Sequence, residues 1–135
     1  MEFNIVVMSH GHFCEAIVDS GEMIVGKLNN VYAVPLTPDE DGEQYMSKLN
    51  ALIESFNGKP FICLVDIMGG TPYNSCLKLM KDYDFTLVTG LCLGMMLEAP
   101  FANGETIDEI ADIMLNASQM SGTKMSTKEF MAAAE

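Results

Sequence analysis

Two apolar segments of the chain each end in residues that could act together on a substrate. Ser9-His10-Gly11 directly follows the apolar run 3–8, and Asp66 directly follows the apolar run 60–65. Short apolar runs with β-branched residues are typical of strands that are buried on both faces. Because open α/β sheets bind their ligands at the carboxyl ends of the strands, we expect His10 and Asp66 to lie close together there.

His10 is the candidate nucleophile. A neutral imidazole carries its proton on one ring nitrogen and offers the lone pair of the other, and a carboxylate such as Asp66 that accepts the N–H selects which nitrogen attacks. The alternative is that His10 only caps the following helix, but the end of a strand beside Gly11 favours a ring open to solvent. His12 falls inside the first turn of the predicted helix, beside Phe13, which favours a surface or packing role.

The segment Gly69-Gly70-Thr71-Pro72 follows Asp66 closely and indicates an anion site. Glycines let the backbone approach an anion, and the start of a helix offers free N–H groups and the positive end of the helix dipole. The alternative is a plain turn followed by a Thr-Pro helix start. Together with His10, the segment favours a site for a phosphoryl-sized anion. Its predicted lining is Gly11, Gly69, Gly70 and Thr71.

The sequence gives no support to other common sites. Neither GxxxxGK[ST] nor GxGxxG occurs, so the usual nucleotide-binding loops are absent. The four cysteines show no paired CxxC spacing, and Cys63 and Cys76 are interpreted as small buried hydrophobic residues. A metal site built from His10, His12 and Cys14 lacks the usual spacing and a fourth ligand. We therefore predict neither a metal ion nor another cofactor.

Strand-like and helix-like segments alternate along the chain. This order predicts an α/β fold, an open parallel sheet of about four strands with helices on both faces. The predicted strands are 3–8, 31–36, 60–65 and 85–89. The predicted helices run from the loop after His10 to Gly26, from Thr37 to Gly58, from Thr71 onward, over 91–102, and from Thr106 to Gly122. Apolar Phe13, Ile17 and Ile24 lie at helical spacing in the first helix.

The remaining expectations come from length and charge. A chain of 135 residues suits one domain with a substantial core. The net charge of −12 repels nucleic acid and favours a basic protein partner, although most of the charge only solvates helix faces. No apolar stretch reaches the roughly 18 residues of a membrane span, and the first residues lack signal-peptide features. We therefore expect a cytoplasmic protein.

The two motifs carry a resemblance to a known family. Val7-Met8-Ser9-His10-Gly11, followed by Val65-Asp66-Ile67-Met68-Gly69-Gly70-Thr71-Pro72-Tyr73-Asn74, resembles the mannose-type IIA component of the bacterial sugar phosphotransferase system. The resemblance spans about residues 3–122 and implies that 1–135 is a single IIA phosphoryl-carrier domain. It implies a phosphohistidine at Nε2 of His10, with Asp66 holding Nδ1–H. The phosphoryl group would come from HPr and pass to a IIB component during uptake of a mannose- or fructose-class sugar.

The same resemblance implies an assembly. The family forms a homodimer through a swapped antiparallel edge strand, which would give the ambiguous tail 123–135 a role, with Met125 and Thr127 as candidate strand residues. The membrane subunits IIC and IID would be indirect partners, placing the protein peripherally at a transporter complex. Since the chain ends without a long linker, we expect IIB to be a separate polypeptide. Gly94 departs from the proline that is common in the family, which loosens a loop near the site and bears on partner contacts.

Three other functions remain open from the sequence. The phosphoryl donor subunit of dihydroxyacetone kinase shares the fold, but its second motif is usually less similar to Gly-Gly-Thr-Pro. A regulatory α/β protein that binds a small ligand without turnover is the second alternative. A flavodoxin-like module is the third, and the missing Ser/Thr-rich phosphate loop and the absence of Trp weigh against it.

Overall fold

Strands and helices alternate as the sequence predicts. The structure, a computed structural model, describes residues 1–135 and contains one sheet of four parallel strands in the order β2-β1-β3-β4. The strands are β1 Asn4–His10, β2 Val31–Leu36, β3 Phe61–Val65 and β4 Thr86–Thr89. The helices are α1 Phe13–Val25, α2 Gly42–Ser55, α3 Gly70–Leu79, α4 Leu93–Glu98, α5 Ile107–Met120 and α6 Thr127–Ala133. None of these helices is both long and apolar enough to cross a membrane.

The central strand β1 divides the core into two layers. Its side chains alternate between the two faces of the sheet, as the pleat requires. Ile5 and Val7 pack in a cluster with residues of α1, α4 and α5, whereas Val6 and Met8 pack with residues of α2 and α3. Met8 is level with Val65 of β3, so the carboxyl ends of β1 and β3 reach the same edge of the sheet.

The start of α2 differs from the prediction. Thr37 does not cap a helix, because its hydroxyl donates to the Asp39 carboxylate at 2.8 Å. The backbone N–H of Thr37 donates to the Glu40 carboxylate and the N–H of Glu40 to the Thr37 carbonyl, and these two bonds close a turn. The N-cap instead lies four residues later, at Asp41, which forms a reciprocal capping box with Gln44, and the helix begins at Gly42.

Two further helix predictions need correction. Helix α1 ends before Gly26 as predicted, but Phe13 and Ile24 are exposed, Ile17 is partly buried, and the buried residues are Cys14 and Gly21. Gly21 is buried because Met96 of α4 packs against it. A Cβ at position 21 would lie only 2.7 Å from the Cβ of Met96. The residues near 91–102 form only the short helix α4, which packs against α1.

The tail forms a helix in the single chain. Met125 lies in the segment before α6, and Thr127 is the first residue of that helix rather than part of a strand. Every residue from 119 to 135 is exposed. The swapped edge strand involves a second chain and stays a prediction.

Candidate active site

His10 is the last residue of β1, and its backbone is held on both sides. Its N–H donates to Oδ2 of Asp66 at 3.0 Å. The next residue, Gly11, donates its N–H to the carbonyl oxygen of Leu36 at the end of β2, at 2.7 Å. Gly11 has a φ of +62°, a conformation that glycine adopts without strain. The fixed backbone presents a side chain that is 47% exposed at the edge of the sheet.

Asp66 is the residue that directly follows β3, and its carboxylate orients the His10 ring. Oδ2 lies 2.9 Å from Nδ1 of His10, and Oδ1 accepts the backbone N–H of Ile67 at 2.9 Å. The carboxylate side chain is only 14% exposed. The predicted meeting of His10 and Asp66 is therefore present in the structure, and one oxygen of Asp66 contacts both the ring and the backbone of His10.

The electrostatic state of Asp66 decides which nitrogen of His10 carries the proton. Partial burial on its own would raise the pKa of the Asp66 carboxyl. Hydrogen bonds from the backbone and ring of His10 and from the N–H of Ile67 outweigh the burial, so the pKa lies below its usual value. An ionised carboxylate only accepts hydrogen bonds, so Nδ1 of a neutral His10 must be the donor and Nε2 keeps its lone pair.

The start of α3 stands against the Nε2 edge of the His10 ring. A Cβ on Gly70 would lie 2.9 Å from both Cε1 and Nε2 of His10, which is closer than real Cβ contacts. Gly70 also has a φ of +83°. It is the first residue of α3, and no side chain caps this helix. The first N–H groups of a helix have no partner within the helix, so α3 offers donors and a positive dipole end beside Nε2.

The other residues predicted to line the anion site lie in positions that differ from the prediction. Gly69 is the residue before α3 rather than part of a loop ahead of a Thr cap, and Thr71 is the second residue of the helix. A Cβ built on Gly69 meets nothing within 4 Å, so a side chain at this position would not reach the His10 ring. The structure thus joins His10, Asp66 and Gly70 directly.

His12 lies just before α1, not inside its first turn. Its Nδ1 is 2.6 Å from Oε1 of Glu15, and its side chain is 73% exposed. Cys14 is fully buried, whereas both histidines lie at the surface, so these three residues form no cluster. No group of three or more His, Cys, Asp or Glu side chains in the chain is arranged to hold a metal ion.

Two contributors to the site have no clear signal in the sequence. The N–H of Ile67 bonds Asp66 through the backbone, which any residue could supply. Ser9 is completely buried, and its hydroxyl bonds the carbonyl of Gly11 and the N–H of Cys14. Ser9 belongs to the Ser-His-Gly motif, but its role could not be recognised from the sequence. A strand residue that bonds the following helix produces no characteristic residue spacing.

Comparison with known proteins identifies the family of this chain. The model of the family described as PTS system fructose IIA component matches residues 4–117. The chain belongs to this family. IIA components of sugar phosphotransferase systems are phosphotransferases that act in sugar uptake together with HPr and IIB proteins, so the resemblance stated from the motifs is confirmed at the level of the family.

Individual relatives cover most of this IIA component. The sorbose-specific EIIA component of Lacticaseibacillus casei is 29% identical over 92% of this chain and 91% of its own length. The structure of a mannose/sorbose-specific IIA subunit from Enterococcus faecalis is 31% identical, with a TM-score of 0.87, over 93% of this chain and 96% of that one. The high TM-score confirms the predicted α/β sheet architecture.

Some relatives are much longer than this chain. The mannose-specific EIIAB component of Escherichia coli (strain K12) is 28% identical over 82% of this chain but only 35% of its own length. The chain therefore spans about a third of that protein.

Proposed function

We propose that His10 accepts a phosphoryl group on Nε2 from phospho-HPr and passes it to a IIB component. The observation that carries this proposal is the 2.9 Å contact between Nδ1 of His10 and Oδ2 of Asp66. The contact leaves Nε2 unprotonated, next to the start of α3. Membership in the IIA family supplies the donor and acceptor classes.

The transfer follows from this arrangement. The Nε2 lone pair of His10 attacks the phosphorus of the phosphohistidine on HPr, and a new N–P bond forms while the N–P bond of the donor breaks. The donor imidazole keeps the electron pair of the broken bond. Because Nδ1 of His10 keeps its proton, positive charge grows on the ring, and the ionised Asp66 stabilises that charge.

The return step uses the same groups in reverse. A nucleophile on IIB attacks the phosphorus carried by His10, the Nε2–P bond breaks, and His10 recovers its lone pair. The chain is then unchanged, as a carrier must be. IIB hands the phosphoryl group on to a sugar that enters through the membrane subunits IIC and IID, so the protein works at the cytoplasmic side of that transporter.

The start of α3 has a separate role in this proposal. The transferred group carries negative charge on its oxygens, and the N–H groups of Gly70 and Thr71 belong to the first turn of α3. Backbone donors and a positive dipole end at this position stabilise an anion. We assign Gly70 and Thr71 to binding of the phosphoryl oxygens, with Gly69 and Gly11 shaping the surrounding backbone.

Labelling of two variants tests this function. Incubation of the protein with labelled phosphoenolpyruvate, enzyme I and HPr is expected to give an acid-labile label on wild type and on His12→Ala, and none on His10→Ala. His12→Ala is the matched control because it removes a histidine from the same loop. A label that survives in His10→Ala, or an unlabelled wild-type protein, contradicts the proposal.

We also infer that the protein is a homodimer. β4 lies at the edge of the sheet, so one row of its backbone groups has no neighbouring strand, and such edges favour pairing with another chain. Apolar side chains at the end of α5 and in the tail 123–135 are exposed in the single chain, namely Met120, Met125, Phe130 and Met131. Light scattering at micromolar concentrations is expected to give twice the mass of the chain, 14.8 kDa. A monomer throughout that range contradicts the inference.

A further inference from the structure

Ser9 is the most deeply buried polar side chain near His10. It is 0% exposed and is one of three buried polar residues in the chain. Its hydroxyl donates to the carbonyl oxygen of Gly11 at 2.9 Å and accepts the N–H of Cys14 at 2.9 Å. A hydroxyl has one proton to donate, so the bond to Gly11 fixes its rotation. Ser9 therefore joins the end of β1 to the loop and to α1.

The bond to Cys14 replaces a missing helix cap. The residue in the N-cap position of α1 is His12, and its side chain makes no capping hydrogen bond. Cys14 is the second residue of the helix, and its N–H is one of the donors that the helix itself leaves without a partner. A capping side chain normally accepts from the second or third helical residue, and Ser9 does this from the preceding strand.

The bond to Gly11 completes a set of three fixed peptide groups around His10. The N–H of His10 bonds Asp66, the N–H of Gly11 bonds Leu36 of β2, and the carbonyl of Gly11 bonds Ser9. Each bond comes from a different part of the fold. Gly11 needs such restraint because a glycine at positive φ has the widest choice of alternative backbone conformations.

We propose that Ser9 is a positioning residue for phosphoryl transfer, whose hydroxyl holds the loop after His10 so that Nε2 stays aligned with the incoming phosphorus. This inference rests on the proposed function of His10. The hydroxyl of Ser9 bonds backbone groups rather than the ring, so it acts through the backbone. Misplacing a reacting atom by about 1 Å costs roughly 100-fold in rate. A looser loop alters alignment rather than the surface that meets HPr, so the loss falls on the maximal rate.

The test measures single-turnover transfer from phospho-HPr as a function of its concentration. Ser9→Ala is expected to lower the maximal rate about 10- to 100-fold while leaving the half-saturating concentration of phospho-HPr unchanged. Ser9→Thr, which keeps the hydroxyl, is expected to restore most of the rate. Ser9→Cys, which fills similar space but donates weakly, should lie between alanine and wild type, and it replaces Ser9→Ala if that variant fails to fold.

Ser118→Ala is the matched control. The hydroxyl of Ser118 donates to the carbonyl of Gly90 at 2.8 Å, so it also ties a positive-φ glycine in a loop that follows a strand. It is expected to cost stability comparable to Ser9→Ala, measured by urea unfolding, with little change in rate. An unchanged maximal rate in folded Ser9→Ala or Ser9→Cys, or an equal loss in Ser118→Ala, overturns the role of Ser9. Failure of the proposed function appears instead as a wild-type protein that takes no label.

Discussion

His10 and His12 lie two residues apart, and each has Nδ1 within hydrogen-bond distance of a carboxylate, yet their surroundings differ. The partner of His10 is 56 residues away in sequence and 14% exposed, whereas Glu15, the partner of His12, is three residues away and 49% exposed. Asp66 holds both the ring and the backbone of His10. Exposed local pairs contribute little and stay mobile. A histidine–carboxylate contact therefore defines a site only where the fold fixes both partners.

The difference between the two histidines is tested most strongly by neutralising each carboxylate in turn. Asp66→Asn keeps the shape of the side chain but loses its charge, and its amide can present N–H to the ring. We expect it to slow phosphoryl transfer from HPr by about 10²- to 10⁴-fold, the usual cost of losing a positioned acid–base partner. Glu15→Gln makes the same chemical change beside His12 and should transfer at the wild-type rate. Rapid-quench kinetics measures both variants.

Thr71→Val gives a reference for the rate lost in Asp66→Asn. The variant removes a hydroxyl at the start of α3 and leaves the backbone N–H groups, so its rate should fall less than that of Asp66→Asn. A folded Asp66→Asn protein that transfers at nearly the wild-type rate would mean that another group orients His10, and the distinction between the two histidines would lose its basis.

A second pair of variants tests the contact at the Nε2 edge of the His10 ring. Gly69 and Gly70 have nearly equal φ angles, +84° and +83°, so alanine strains the backbone at both. Only the Cβ at position 70 would meet His10, at 2.9 Å. Gly70→Ala is expected to slow transfer at least about tenfold by displacing the ring, whereas both variants lose roughly 1–3 kcal/mol of stability.

Urea unfolding and single-turnover rates separate the two effects of that pair. Equal rates in Gly69→Ala and Gly70→Ala would show that only backbone strain matters. In that case the close approach of Gly70 to the ring would have no part in transfer.

The smallest expected effect is a decrease in the free energy of unfolding at acidic pH. The pKa of Asp66 is lower in the folded protein than in the unfolded chain, so its contribution is present above the unfolded value of about 3.9 and is lost as pH falls through the lower folded value. The free energy of unfolding of wild type should therefore fall relative to that of Asp66→Asn between roughly pH 5 and pH 3. Urea titrations across this range measure the difference, and parallel curves contradict the linkage.

The proximity of His10 and Asp66 could be predicted because two local sequence patterns determine it. Apolar runs that end at Met8 and Val65 mark two strands, and parallel neighbours bring their carboxyl ends together. His10 and Asp66 then follow from position alone. The parallel sheet of four strands and the burial of Cys63 and Cys76 were predictable from patterning for the same reason.

The rest depends on contacts between segments that are distant in sequence. The chain offers two capping patterns before α2; Asp41 caps the helix, while Thr37 and Glu40 form a turn whose Glu40 carboxylate bonds Lys48 of α2. Gly21 is covered because Met96 of α4 packs against it, which periodicity in α1 does not reveal. The approach of Gly70 to His10 likewise requires the crossing of α3 over the sheet edge.

The division of the core into two layers has a consequence for the kind of substrate this chain can take. The helix after β1 packs on one face of the sheet and the helix after β3 on the other, so the chain diverges on either side of the His10–Asp66 pair. The His10 side chain is 47% exposed at this edge of the sheet. A small free phosphodonor would find little to enclose it. A donor that brings its own folded surface does not need an enclosure, which suits a relay between proteins.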